Sequence, residues 1–250
     1  MPDATATAID LSARNPMKET DDILAVPLWI NGHAFLTMAP AFFDVRDPRS
    51  GLIRRRTPLC GAGQAATAVD AAAAALPAWR SLTVAERAQL LATLADALAG
   101  YGSHFAGLIA EESGQPDAAA AAEVETALCL LRRAADEATV ASDGGVVAIV
   151  CDDRTPLAGL LQHAVPTLLA GSTVVAKPSP KAPSVAVALA ELMAQGGFLA
   201  GAFNVLHGDL EAIEGLCAAP ALGRLLFSGD AALRRRVAEI AGRHGRQLVD

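Results

Sequence analysis

The chain is poor in aromatic residues, in charge and in any cysteine pattern that pairs. Aromatics make up only 4% of its 250 residues, so the 52% hydrophobic fraction must build its core from alanine, valine and leucine. Charged residues are 19% of the chain, with a formal net charge of −7 and a pI of about 5.2. That balance argues against a general nucleic-acid binder, whose phosphate contacts need a basic surface. The runs Arg54-Arg55-Arg56 and Arg234-Arg235-Arg236 read as solvated faces. The four cysteines (Cys60, Cys129, Cys151 and Cys217) show no CxxC spacing and no histidine at metal-ligand spacing. No metal site and no disulfide framework is expected, and reduced thiols point to the cytoplasm. The polar N-terminus has no apolar signal-peptide core. One long uncharged stretch lies between Arg154 and Lys177. Pro156, Gln162, His163, Pro166, Gly171 and Ser172 interrupt it, so a buried helix and strand are expected rather than a membrane span.

That stretch lies inside the segment around which the chain is organised, Val146 to Ser179. A valine- and isoleucine-rich run reads as a buried parallel strand. An apolar helical segment follows, then Gly171-Ser172, then a second buried strand from Thr173 to Ala176. This is a βαβ unit. Downstream, strands are expected at Phe203–Leu206, Leu222–Phe227 and from Arg246 to Val249, with helices between them. Upstream come a strand before the Asn31-Gly32 turn and an extended run from Phe35 to Val45. A second hairpin turns at Asp47-Pro48-Arg49-Ser50-Gly51. Four helices follow, the second opened by the capping box Thr83-Val84-Ala85-Glu86. The expected fold is α/β: a Rossmann-like doubly wound parallel sheet with an N-terminal helical cap and a short β-hairpin. Residues 1–24 are expected to form a flexible tail. Residues 25–145 would carry the hairpin and helices, and residues 146–250 the nucleotide-binding core.

Several short motifs occur in a fixed order. They are Ile30-Asn31-Gly32, Asp47-Pro48 with Gly51, Pro77-Ala78-Trp79, Glu86-Arg87, Glu112-Ser113-Gly114, and Leu199 to Val205 followed by Gly208. Taken together they resemble the aldehyde dehydrogenase superfamily, over its N-terminal, NAD(P)-binding part only. The resemblance implies aldehyde oxidation through a cysteine thiolate, an asparagine oxyanion donor, a general-base glutamate and hydride transfer to nicotinamide. It implies cofactor contacts at Lys177, Ser179, Gly208, Ser228 and Gly229, and NAD or NADP as the cofactor.

The chain departs from the family pattern where the chemistry lies. Asp152-Asp153-Arg154 stands where the family's oxyanion asparagine segment is expected. Pro180 replaces the ribose-binding carboxylate. Asp230 replaces the pyrophosphate serine, and Arg234 falls where a glycine belongs. The chain ends at Asp250, near the general-base glutamate, so the catalytic cysteine domain is expected to be absent. The stretch Glu137 to Gly145 is short for the family's oligomerisation flap. No catalytic residue is assigned.

These departures point to a degenerate, non-catalytic cofactor-binding domain with weak or absent NAD(P) binding and a structural or partner-binding role. Inactive domains of this kind occur in large bifunctional proline-catabolic flavoenzymes of the superfamily. The alternative is an oxidoreductase component that takes its cysteine domain from elsewhere. A third reading, a small hydrolase using Cys151 with His207 as base, is weighed against a buried core cysteine. A protein partner, or a second copy, is expected at the open sheet edge left by the last strand. Neither nucleic acid nor membrane is expected as a partner.

Overall fold

The computed structural model describes residues 23–134 and 145–249. Most of the expected tail, the end of the fourth expected helix beyond Ala134, the flap stretch before Gly145 and Asp250 lie outside the described residues.

The valine- and alanine-rich runs with no polar interruption form strands that are buried on both faces. The central one is β5 (Val146–Cys151), flanked in the sheet by β6 (Thr173–Lys177) and β8 (Leu222–Ser228). Beyond β6 lies β7 (Phe203–Val205), and beyond β8 the short β9 (Leu248–Val249). All four of these pairings are parallel. In chain order the five strands stand third, second, first, fourth, fifth, which is the doubly wound arrangement with a switch point between β5 and β8.

The N-terminal hairpin is part of this sheet. Strand β1 (Leu28–Ile30) turns through Asn31-Gly32, both at positive φ, into β2 (His33–Phe35). It lies antiparallel against β7, giving a seven-stranded sheet. The extended run expected from Phe35 to Val45 is broken. Leu36 and Met38 are exposed, Pro40 follows, and a separate strand β3 (Phe42–Arg46) pairs with β4 (Ile53–Pro58) in a two-stranded sheet.

Successive β5 residues point to opposite faces. Val146, Ala148 and Val150 meet α1 (Ala62–Ser81), α7 (Leu210–Ala218) and α8 (Ala231–Arg243). Val147, Ile149 and Cys151 meet α5 (Ala158–Leu169) and α6 (Ser184–Gln195). Outside these lie α2 (Val84–Gly100), α3 (Gly102–Ser113) and α4 (Asp117–Arg133).

The cap helices grip the ends of the helices beneath them. At the start of α5 the buried Glu123 carboxylate accepts the Leu157 and Ala158 amides, at 2.8 and 3.1 Å. At its end the Trp79 indole N–H donates to the Leu168 carbonyl at 3.0 Å, and Arg87 Nε donates to the Leu169 carbonyl at 2.8 Å. An anion at the N-terminus and a cation at the C-terminus both suit the helix dipole, and both satisfy backbone groups that the helix leaves unpaired. Glu112 does the same at α6, accepting the Ser184 amide at 3.0 Å. Desolvation holds its carboxyl above the usual range. Arg246 closes α7, donating to the Cys217, Ala219 and Leu222 carbonyls.

His207, fully buried after β7, ties the hairpin to the core. Its Nε2 lies 3.0 Å from the Pro27 carbonyl and therefore carries the proton, leaving Nδ1 without a hydrogen-bond partner among the described residues. Burial, with some help from the Lys177 charge, pushes it from 6.5 down to about 4.

Two outcomes follow for stability. Glu123→Ala and Arg87→Ala should each lower the free energy of urea unfolding by about 2–3 kcal/mol, because each leaves buried helix-end groups unsatisfied. Arg243→Ala, which breaks only the exposed pair with Glu214, should change it by less than about 1 kcal/mol. The second outcome concerns pH. His207 is neutral in the folded protein down to about pH 4, whereas its unfolded reference value is 6.5. The unfolded chain thus binds more protons between those values, and stability falls as pH drops from 6.5 to 4, by up to about 3 kcal/mol. Urea midpoints measured against pH should show this limb in the wild type and its loss in His207→Gln.

Candidate functional site

In a doubly wound sheet, ligands enter the crevice at the carboxyl ends of the strands, at the switch point. Here that crevice lies between the end of β5 and the end of β8. The residues following β5 are Asp152-Asp153-Arg154, and those ending β8 are Phe227-Ser228-Gly229-Asp230. The first turn of α8 opens directly beyond, and its free amides would suit an anion.

Those amides are already engaged by the chain's own carboxylates. Asp230 is the N-cap of α8 and accepts the Leu233 amide at 2.8 Å. The Leu233 amide above all, then the Ala232 amide and the Arg154 and Arg235 charges, hold its carboxyl below the usual carboxylate range. Asp230 is therefore an anion at neutral pH. The Asp230 backbone N–H donates in turn to Asp152 Oδ2 at 2.9 Å, while the Asp152 N–H donates to the Ser228 carbonyl at 3.0 Å. These two bonds latch the end of β5 to the end of β8. Arg154 completes the cluster. Its Nε lies 2.8 Å from Asp152 Oδ2, and its amide donates to Oδ1 at 3.0 Å. Arg154 thus folds back onto Asp152, away from the role of an oxyanion donor.

Gly229 and Ser228 lie inside this latch. A Cβ on Gly229 would come within 2.8 Å of both the Asp152 carboxylate and the Phe227 ring. Ser228 Oγ faces Gly159 of α5, only 2.5 Å from where a Cβ would sit. Gly208 has φ +142°, and a Cβ there would strike Ala212 and the Cys60 backbone. Its glycine is explained by that close packing and by its backbone conformation.

The other half of the crevice differs. Lys177 ends β6 and is 4% exposed. Burial lowers its pKa from 10.5 to about 8, partly offset by the Asp209 carboxylate. Ser179 follows two residues later. Its hydroxyl donates to Asp153 Oδ1 at 3.2 Å and accepts the Lys181 amide at 3.3 Å. The Pro180 carbonyl accepts from Thr57 Oγ1 at 2.7 Å. A carboxylate, that of Asp153, therefore stands beside Ser179 although position 180 has none.

Cys151 is unsuited to nucleophilic work. Burial first, then Asp152, pushes its thiol from 9.0 up to about 12. His207, the base considered for it, gives its proton-bearing nitrogen to Pro27. Among the described residues no group of three or more His, Cys, Asp or Glu side chains is placed to hold a metal ion, and no helix is long and apolar enough to cross a membrane.

Sequence reasoning flagged the substituted positions but missed what they do together. The position of Asp230 immediately before a helical run was the available signal for an N-cap. Nothing local marked Asp152 as its partner, because the two are 78 residues apart.

Residues 36–249 match the model of the aldehyde dehydrogenase family. The succinate-semialdehyde dehydrogenase [NADP(+)] GabD of Escherichia coli is 33% identical over 215 residues, covering 78% of this chain and 45% of that protein. The mitochondrial succinate-semialdehyde dehydrogenase of Mus musculus is 33% identical over 216 residues, covering 78% of this chain and 41% of its own length. Among solved structures, an E. coli NADP-dependent enzyme superposes with a TM-score of 0.81 at 30% identity, over 90% of this chain and 50% of that one. A Sinorhizobium meliloti putative methylmalonate-semialdehyde dehydrogenase, solved with NAD, gives 0.85 at 22% identity, over 91% and 50%, and shares the fold. The chain spans about half the length of the curated relatives it matches, and with residues 36–249 matching the family model it belongs to the aldehyde dehydrogenase family.

Proposed function

We propose that this chain is a non-catalytic aldehyde dehydrogenase-like domain with a structural or partner-binding role, and that it binds NAD or NADP weakly or not at all. One observation carries the reading: the Asp152 and Asp230 carboxylates occupy the anion seat at the start of α8. A diphosphate brought there would meet two fixed negative charges and would have to displace their hydrogen bonds. The residues at the switch point therefore do not fit a dinucleotide pyrophosphate. Two further observations agree. Arg154 is committed to Asp152 where an oxyanion donor would be needed, and the Cys151 thiol is held far from the thiolate. Loss of one such donor alone reduces rate by roughly a hundredfold or more. The partner would dock at the edge of β9, which among the described residues pairs only with β8.

The retained half of the crevice favours a second reading, an NAD(P)-dependent oxidoreductase component completed by a catalytic cysteine domain from elsewhere. Lys177 and Ser179 still stand at the strand ends where the family resemblance puts ribose contacts, and Asp153 stands beside Ser179.

Calorimetric titration separates the two. NAD and NADP should show no saturable binding below about 1 mM, an affinity of about −4 kcal/mol, and a panel of aldehydes should give no steady NAD(P)H production. Micromolar affinity for either dinucleotide would sink the first reading and support the second. The double variant Asp152→Asn with Asp230→Ser should tighten dinucleotide binding by about tenfold or more, since it removes both charges and keeps an N-cap hydroxyl.

A further inference from the structure

Strand β2 is the sheet's edge opposite β9, and among the described residues it pairs with β1 alone. Edge strands are normally shielded by charge, proline or a bulge. That shielding is missing at β2. From Gly32 to Phe43 the chain carries no Asp, Glu, Lys or Arg, and Pro40 comes only after the strand. All three strand residues are exposed. Large apolar side chains stand out along the same run: Phe35 is 48% exposed, Leu36 76%, Met38 95% and Phe42 44%. The run is also anchored to the body of the fold, because Gln64 of α1 donates through Nε2 to Thr37 Oγ1 at 3.3 Å. The backbone is presented for pairing as well. The two-residue turn makes Ile30 and His33 a hydrogen-bonded pair, and Trp29 and Ala34 the next, non-bonded one. Ala34 therefore turns both its N–H and its C=O to the open side.

We propose that β2 is a self-association edge: two copies of the chain pair their β2 strands antiparallel about a two-fold axis at Ala34, which continues the sheet from one protomer into the other. A second copy suits this edge in charge, symmetry and area. On a chain of net charge −7, an uncharged edge meets its own copy without like-charge repulsion. The two-fold sets Ala34 against the partner's Ala34, so that each N–H meets the other's C=O. The exposed parts of the four apolar side chains come to roughly 500 Å² on each copy. With the β2 backbone added, two copies pass the total of about 1,000 Å² that a specific interface needs. The β9 edge suits self-pairing less well. It is two residues long and follows α8, which exposes Arg235 and Arg236. It stays open to a different partner, so self-association at β2 goes beyond the proposed function and does not depend on whether a dinucleotide binds.

Sedimentation equilibrium of the full chain at micromolar concentration, without nucleotide, tests this. The wild type should show a dimer of twice the 25.6 kDa protomer mass. Leu36→Glu combined with Met38→Glu places four like charges at the interface and should leave only monomer. Both side chains are exposed, so this variant should keep the wild-type urea midpoint. Ala34→Pro removes only an outward-facing N–H, which an edge strand tolerates, and should also dissociate the dimer. Val249→Glu at the β9 edge should leave the dimer intact. A monomeric wild type, a dimer that survives the changes at Leu36 and Met38, or one that Val249→Glu alone dissociates would overturn the proposal. None of these outcomes bears on dinucleotide affinity, which the calorimetric titration reads separately.

Discussion

The fold depends on helix α5 being held at both ends. Glu123 binds its first amides, and Trp79 and Arg87 bind its last carbonyls. A short, almost wholly apolar helix has no side chains of its own with which to satisfy those groups. The cap supplies them, and so the helical cap and the sheet form one cooperative unit. Stacking of Trp79 on Phe198, with ring centroids 5.6 Å apart, carries the same coupling to the segment before β7. The motifs Pro77-Ala78-Trp79, Glu86-Arg87 and Glu112-Ser113-Gly114 are therefore structural. They close helix ends or, at Gly114, let Pro48 approach to 3.0 Å from where a Cβ would stand.

The residues that hold the helix ends are separate from those at the switch point. The clamps around α5 and α6 lie in the interior and tolerate little change. The switch-point crevice lies at the rim, where a new side chain can fold back on the backbone. Asp152, Arg154 and Asp230 do so, and each satisfies another. The result is a rim whose side chains satisfy one another and the backbone amides at the start of α8.

Much of this was legible in the residues. The uninterrupted apolar runs of β5 and β6 gave buried parallel strands, and Thr83 with Glu86 gave a helix start that the structure keeps, with the Glu86 carboxylate 2.6 Å from the Thr83 amide. The alternation of strands and helices after Val146 gave the doubly wound sheet. Two kinds of feature were not legible. One is the connector from Leu36 to Ala41, which carries strand-forming residues but exposes them, because Pro40 and the lack of a pairing partner prevent a strand. The other is the latch itself. The sequence displayed Asp152 and Asp230 as substitutions, but which backbone groups they reach depends on β5 and β8 being neighbours. That adjacency is a property of strand order and has no local signature.

The position of β5 also has a consequence for how the chain assembles. Its partner β6 is only a short crossover away, but its other neighbour, β8, comes much later. During synthesis the central strand must therefore wait with one apolar edge bare while β6, α6, β7 and α7 are made. The half-sheet of β5, β6 and β7 can form first, with the cap helices already available to cover one face. The arrival of β8 then closes the second edge of β5. A pause between His207 and Ser228 would lengthen the time for which that edge can template a wrong pairing.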